Sequence, residues 1–79
     1  MLKSLPPLMT IQEYLEYRPE TARIIGVLSK DEDGYYRIED DMYTIYLHNL
    51  DESVGKKIEP LIGKEVVVFK KDNKFIKVM

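Results

Sequence analysis

Five segments of the chain predict β-strands, because each either is rich in β-branched and aromatic residues or alternates between hydrophobic and polar positions. The segments span residues 22–29, 35–39, 42–48, 66–70 and 75–78. The Asp33-Gly34 pair after the first segment is typical of a tight hairpin, and Asp40-Asp41 forms an acidic turn before the third. Three antiparallel strands, followed later by a hairpin across residues 71–74, are therefore expected.

Helical signals replace this alternation near the N-terminus. Thr10 and Glu13 have the spacing of a capping box, and the apolar residues that follow share one helical face until Pro19 interrupts the pattern. The spacing predicts a short helix over residues 10–18. Residues 1–9 contain Pro6-Pro7, which disfavours a helix, so this segment is expected to form an extended arm.

A second short helix is expected between the third and fourth strands. Asn49, Asp51 or Ser53 can cap its start, and Gly63 ends it with a residue that tolerates positive φ. Its apolar positions are Ile58, Leu61 and Ile62. The predicted order is β-β-β-α-β-β, an all-β fold with short helices. Gly26 lies in the middle of the first strand and marks either a sharp bend for barrel closure or a bulge or close-packing position.

Length and composition predict one small soluble domain over residues 1–79. Its 79 residues leave room for a single core, and 44% hydrophobic with 33% charged residues is ordinary for a globular protein. No cysteine is available for a disulfide or a thiolate metal site. The chain lacks an apolar run long enough to span a bilayer, so we expect a cytoplasmic protein that makes no membrane contact.

The charge is unevenly distributed, although the net charge is only −2. Residues 31–52 contain eight acidic side chains against Arg37 alone, whereas residues 64–79 contain five lysines against two acids. A protein that binds nucleic acid through counterion release usually has a broad basic surface. This distribution therefore predicts weak or local contact with nucleic acid at most.

Three segments of the sequence resemble the oligonucleotide/oligosaccharide-binding (OB) fold. Residues 22–28, Ala-Arg-Ile-Ile-Gly-Val-Leu, are similar to the curved opening strand of that family. Residues 36–47, with an acidic turn between two strands, resemble the second and third strands, and residues 61–68 resemble the junction between helix and fourth strand. Met42 and Tyr43 stand where the family usually has a glycine after the turn. The resemblance implies a five-stranded barrel over residues 20–79.

The small size and acidic balance also resemble accessory subunits of archaeal replicative family B DNA polymerase complexes. That resemblance implies a non-catalytic subunit that binds a larger DNA-replication or repair enzyme, with a DNA polymerase as the first candidate, and modulates it. The alternative is an autonomous protein that binds single-stranded nucleic acid. A Sm-like or SH3-like barrel competes with the OB assignment and predicts no helix between the third and fourth strands.

The residues offer little for catalysis. His48 is the only histidine and is expected to be a strand-end residue, and without cysteine few nucleophiles remain. Asp31, Asp33 and Gly34 fit three positions of a calcium loop, but the first and twelfth positions do not fit, and strands are predicted where helices are required. We therefore expect no enzyme activity, no metal and no cofactor.

The alternation in the second and third strands predicts a binding face. If Ile38 and Ile45 face the core, the opposite face carries residue types that stack on bases or contact phosphate. These are Tyr35, Arg37, Thr44 and Tyr46, with Lys70, Lys71 and Lys74 expected as a basic wall from the last loop. The alternative is that the tyrosines are ordinary cross-strand partners, since aromatic residues favour strands whatever they bind.

The N-terminal arm is a second candidate contact. Its large apolar residues are Leu2, Leu5, Leu8 and Met9. Little secondary structure is predicted to bury them, so they either pack across the barrel or dock on a protein partner.

Overall fold

The computed structural model describes residues 5–48, 50 and 52–79 and shows a mostly β structure with short helices. The strands are β1 (Leu8–Met9), β2 (Ala22–Lys30), β3 (Tyr36–Glu39), β4 (Thr44–Tyr46), β5 (Glu65–Lys71) and β6 (Lys74–Val78). The helices are α1 (Ile11–Tyr17), α2 (Glu52–Gly55) and a 3-10 turn, Glu59–Leu61. None of these helices has the length and apolar character that a membrane crossing requires.

The strands form one sheet in the order β4-β3-β2-β5-β6, with β2 at its centre. β2 is antiparallel to both β3 and β5. β1 adds a sixth, parallel strand, because Leu8 and Met9 pair with Arg23 and Ile24 of β2. The arm of residues 1–9 was expected to have little secondary structure, and this is wrong for its last two residues, whose backbone finds partners on β2.

The two outer strands approach each other without forming a ladder among the described residues. A single parallel bridge joins Leu50, which follows β4, to Phe75 of β6. The all-β class with short helices is confirmed, whereas a closed barrel stays a prediction.

Side chains of acidic residues stabilise the two turns of the N-terminal half. The Asp31 carboxylate accepts hydrogen bonds from the backbone N–H groups of Asp33 and Tyr35, at 3.0 and 2.9 Å. The Asp40 carboxylate accepts from the N–H groups of Met42 and Tyr43, both at 2.8 Å. Asp40 therefore stabilises the turn at which the sequence lacks the glycine usual in the OB family. β4 begins at Thr44, two residues later than predicted.

The core lies beneath the sheet and under α1. Its fully buried large side chains are Ile11, Ile24, Leu28, Ile38, Ile58 and Val68. The predicted capping box is confirmed, since Glu13 N–H donates to the Thr10 hydroxyl at 3.1 Å and Thr10 N–H donates to the Glu13 carboxylate at 3.0 Å. The cap starts α1 where Ile11 can enter the core.

The helical segment between β4 and β5 is interrupted, where the sequence predicted one helix. α2 ends at Gly55, and the 3-10 turn begins at Glu59. Pro60 lies in that turn and cannot continue an α-helix from α2, because it lacks an N–H group and its ring clashes with the preceding turn. Gly63 has φ +88°, as expected for a residue that ends a helical segment. Asn49 and Asp51, two of the three proposed caps, lie outside the described residues.

Candidate binding surface

The outer face of β3 and β4 displays the side chains that the alternation predicted. Ile38 and Ile45 pair across the two strands and are buried. Their neighbours Arg37 and Tyr46 also pair directly, and both point away from the core. Thr44 is exposed on the same face. The predicted alternation is therefore confirmed.

Three aromatic rings cluster on this face, and we call them the aromatic platform: Tyr35, Tyr46 and His48. The rings of Tyr46 and His48 are stacked, with centroids 5.7 Å apart and planes inclined by 19°. Tyr35 meets His48 edge-on, with centroids 6.4 Å apart and planes at 62°. Tyr35 is 58% exposed and Tyr46 is 36% exposed, so ring surface remains available to a ligand.

The guanidinium of Arg37 is held beside the platform. Its Nε donates to the Ser29 hydroxyl at 2.8 Å, and its Nη1 donates to the Tyr46 hydroxyl at 3.4 Å. Glu39 lies 3.8 Å from Nε. The hydrogen bond with Tyr46, with the nearby negative charges of Glu39 and Asp31, raises the pKa of Arg37. Arg37 is thus a fixed cation at the edge of the aromatic rings.

An acidic turn lies next to Arg37, and we define it as Asp31, Glu32 and Asp33. These residues line a shallow depression together with Lys30 and Arg37. The pKa of Asp31 is lowered, and the largest cause is the hydrogen bond from the backbone N–H of Tyr35. The backbone N–H of Asp33, the Tyr46 hydroxyl and the charge of Arg37 lower it further. These interactions favour the ionised form of the Asp31 carboxylate, and the acidic turn therefore repels anions from this end of the platform.

A groove of about 350 Å³ runs along the opposite side of the platform. Its lining includes Arg18, Thr44, Tyr46, His48, Asn73 and Phe75. Arg18 is exposed and adopts a left-handed conformation (φ 47°), and its N–H donates to the Tyr14 carbonyl at 2.7 Å at the end of α1. A neighbouring depression places Lys74 beside His48 and Asn73. Cationic side chains therefore border this side.

The structure corrects the basic wall predicted from Lys70, Lys71 and Lys74. Lys71 and Lys74 are exposed on either side of the last turn. Lys70 is only 5% exposed, and its ammonium donates to the Tyr14 hydroxyl and, at 3.2 Å, to the Pro19 carbonyl. The Lys70 ammonium also lies 4.6 Å from the centroid of the Tyr14 ring. Lys70 contributes to the lining of the groove, but it does so from the core side of β5, so its assignment to the last loop was wrong.

Sequence reasoning missed two residues of the surface. His48 was expected to be a strand-end residue, yet it follows Tyr46 at the two-residue interval that places both on one face of a strand. Arg18 follows the last turn of α1, and only the packing of that helix against the sheet brings it to the groove. The first signal was present in the sequence, whereas the second depends on tertiary structure.

The arm is anchored but keeps apolar side chains in solvent. Arg23 of β2 donates through Nε to the Pro6 carbonyl at 2.9 Å and through its N–H to the Pro7 carbonyl at 3.1 Å. Leu5 and Leu8 are 68% and 49% exposed, whereas Met9 packs against the core. Leu2 lies outside the described residues. Among the described residues of the arm, Met9 is therefore packed against the core, whereas Leu5 and Leu8 are exposed.

Within the described part of the chain, no three His, Asp or Glu side chains are grouped so that they could hold a metal ion. No family model, curated protein or solved structure matches the chain. What the surface binds must therefore be inferred from its own side chains.

Proposed function

We propose that the chain is a non-catalytic, OB-type binding module that holds single-stranded nucleic acid by stacking bases on the aromatic platform. The observation that carries the proposal is the exposed Tyr46–His48 stack with Arg37 fixed beside it. Every base has a π-face, so aromatic rings bind single strands with little dependence on sequence, at about 1 to 3 kcal/mol per base.

The sheet order supports the OB assignment. The five strands β2 to β6 follow the order of the OB barrel, and the Leu50–Phe75 bridge lies where that barrel would close. α2 and the 3-10 turn lie between the third and fourth of these five strands, at the position where the SH3-like alternative predicts no helix. In the aromatic platform, Tyr46 lies on the third of the five strands, Tyr35 directly precedes the second and His48 follows the third. OB domains use the face of their second and third strands for binding.

The Tyr46→Ala variant tests the platform directly. We expect it to bind a fluorescein-labelled oligothymidylate about tenfold more weakly than the wild type in low salt, because one stacking ring is removed. Tyr17→Ala is the matched control, since Tyr17 is 73% exposed on α1 and does not belong to the platform. Fluorescence anisotropy measures both, and circular dichroism confirms that each variant is folded. Absence of saturable binding by the wild type in low salt, or equal affinities for Tyr46→Ala and wild type, would reject the proposal.

A second function is favoured by the exposed leucines of the arm. Leu5 and Leu8 lie on a segment whose backbone is anchored to β2, so their exposure is a property of an ordered surface. We propose that this surface attaches the chain, as an accessory subunit, to a larger DNA-replication or repair enzyme, with a DNA polymerase as the first candidate. The enzyme would then supply most of the phosphate contacts, because this acidic chain offers only a few.

The Leu5→Asp/Leu8→Asp double variant tests the attachment. Because both side chains are exposed, we expect little change in stability but loss of a DNA polymerase from affinity pull-downs of the source cell extract, identified by mass spectrometry. Tyr46→Ala should retain that enzyme, since its change lies on the platform. Recovery of the wild-type chain alone, or with metabolic enzymes only, would contradict an accessory role.

A further inference from the structure

Charge around the aromatic platform is divided between two sides. The acidic turn lies on the Arg37 side, where Glu32 and Asp33 are exposed. The groove on the other side is bordered by Arg18, with Lys74 in the neighbouring depression. Asp72 lines that depression as well, so the cationic side is not free of acids. A phosphate placed near the groove is attracted, whereas a phosphate beyond Arg37 meets the carboxylates of the acidic turn.

From this division we propose that the surface is a short, bounded site for a single-stranded segment of about two or three nucleotides, with one phosphate held at the groove by Arg18 and a second held in the neighbouring depression by Lys74. The inference rests on the proposed function and specifies its ligand. A typical OB domain covers about 4 to 16 nucleotides, so the expected length is below the usual range.

The ring geometry sets the number of bases. Tyr46 and His48 are already stacked on each other, so they act as one stacking unit and not as two independent base positions. Tyr35, inclined by 62° to His48, offers a second surface in a different plane. Two base positions follow, and because the two surfaces are not parallel, a strand that uses both must turn between them.

The groove beside the platform has room for the remaining nucleotide. Its volume of about 350 Å³ is at the small end of ligand sites, which run from about 300 to 1,000 Å³. The Arg18 backbone is fixed by the hydrogen bond to the Tyr14 carbonyl, so its side chain starts from a defined position at the groove wall. Asn73 adds an amide to the lining of the groove.

A length series of 5′-phosphorylated oligothymidylates, from one to twelve nucleotides, tests the boundary. A longer strand offers more equivalent positions at which the site can bind, so each affinity is first divided by that number. We expect the corrected affinity to stop rising at about three nucleotides. Two phosphate contacts on a single strand give a slope of about −1.4 in log affinity against log salt. An affinity that continues to rise beyond six nucleotides would overturn the bounded site while leaving the proposed function intact. Absence of binding at every length would instead overturn the proposed function, and the bounded site with it.

Charge variants test the two sides separately. Arg18→Gln should weaken binding about threefold to tenfold and reduce the magnitude of the salt slope by about 0.7, because one phosphate contact is lost. Lys56→Gln makes the same change of charge at an exposed position away from the groove and should change the affinity less than twofold. Equal effects of these two variants would show a diffuse field and overturn the assignment of Arg18.

Removing the acidic boundary should lengthen the site. Glu32→Gln/Asp33→Asn should strengthen binding of a twelve-nucleotide strand about threefold and move the plateau to longer strands, since two repelling charges are removed. Asp31 is kept, because its carboxylate accepts the hydrogen bonds that form the turn. An unchanged plateau in this double variant would refute the boundary.

Discussion

The Gly26→Ala variant is expected to lose about 2 kcal/mol of the free energy of unfolding, the middle of the range for overpacking a core. A Cβ at this position would lie 3.0 Å from Cδ1 of Ile11, 3.2 Å from Cβ of Ile38 and 3.4 Å from the backbone nitrogen of Glu39. The end of the Ile11 side chain can shift, but the other two atoms lie near the backbone and cannot. Urea denaturation followed by circular dichroism measures the loss.

Two further variants identify the cause of that loss. Ile11→Val removes Cδ1, the nearest of the three atoms, and by itself should cost about 1 kcal/mol. The Gly26→Ala/Ile11→Val double variant should therefore lose less than the sum of the single losses. Gly55→Ala is the matched control, since its added Cβ would have no neighbour within 4 Å apart from the adjoining residues and the backbone of its own helix, and it should be neutral or stabilise by up to about 1 kcal/mol. If Gly26→Ala were tolerated as well as Gly55→Ala, close packing of α1 on β2 would not explain the glycine.

The close contacts at Gly26 also distinguish between the explanations that the sequence allowed for this glycine, which were a bend for barrel closure, a bulge or a close-packing position. β1 pairs with β2 as far as Ile24, and β3 pairs with it from Val27 onward. Gly26 lies in the gap between these partners, and Ile11 fills the space above it. The close-packing explanation therefore accounts for this residue without requiring a closed barrel.

Features governed by neighbouring residues were predictable from the sequence. The capping box of Thr10 and Glu13 and the alternation of β3 and β4 each depend on contacts within a few positions or across one tight turn. The parallel pairing of β1 with β2 joins residues about fifteen positions apart and leaves no local signal. The interruption between α2 and the 3-10 turn was readable at Pro60, which the predicted helix had to cross.

The candidate site was predictable to the same extent. Alternate residues of a strand point to the same face, and this rule brings Arg37, Thr44 and Tyr46 together. The same rule would have added His48. Arg18 reaches the groove only because α1 packs beside the sheet, a contact determined by the burial of Ile11 and Tyr14. Lys70 was misplaced because its charge was given more weight than its interval from Val66 and Val68, which are buried on the same face of β5.

Stacking and electrostatics act in opposite directions on the aromatic platform. The rings favour any single strand, whereas the acidic turn and Glu39 offset much of the attraction of Arg37 for phosphate. Binding should therefore depend more on the rings than on charge, which is the reverse of a basic nucleic-acid surface. A module of this kind gains from attachment to an enzyme that already holds the strand, because the local strand concentration then compensates for weak intrinsic affinity.

The Lys70→Ala variant is expected to lose about 2 to 3 kcal/mol of the free energy of unfolding, because it empties the buried space that the lysine stem fills. The Tyr14 hydroxyl and the Pro19 carbonyl also lose their donor. Lys71→Ala is the control, since the next residue is exposed and should change stability by less than about 0.5 kcal/mol.

Lys70→Met separates the contribution of the apolar stem to stability from that of the ammonium, because methionine retains most of the stem and removes the ammonium. We expect it to lose less than half as much as Lys70→Ala, since packing is kept and the buried charge no longer has to be desolvated. Urea denaturation of all three variants gives the comparison. Should Lys70→Ala be no less stable than Lys71→Ala, the ammonium would have to lie in solvent, and Lys70 would return to the basic wall beside the platform. The structure requires the opposite order, because Lys70 shares the buried face of β5 with Val66 and Val68.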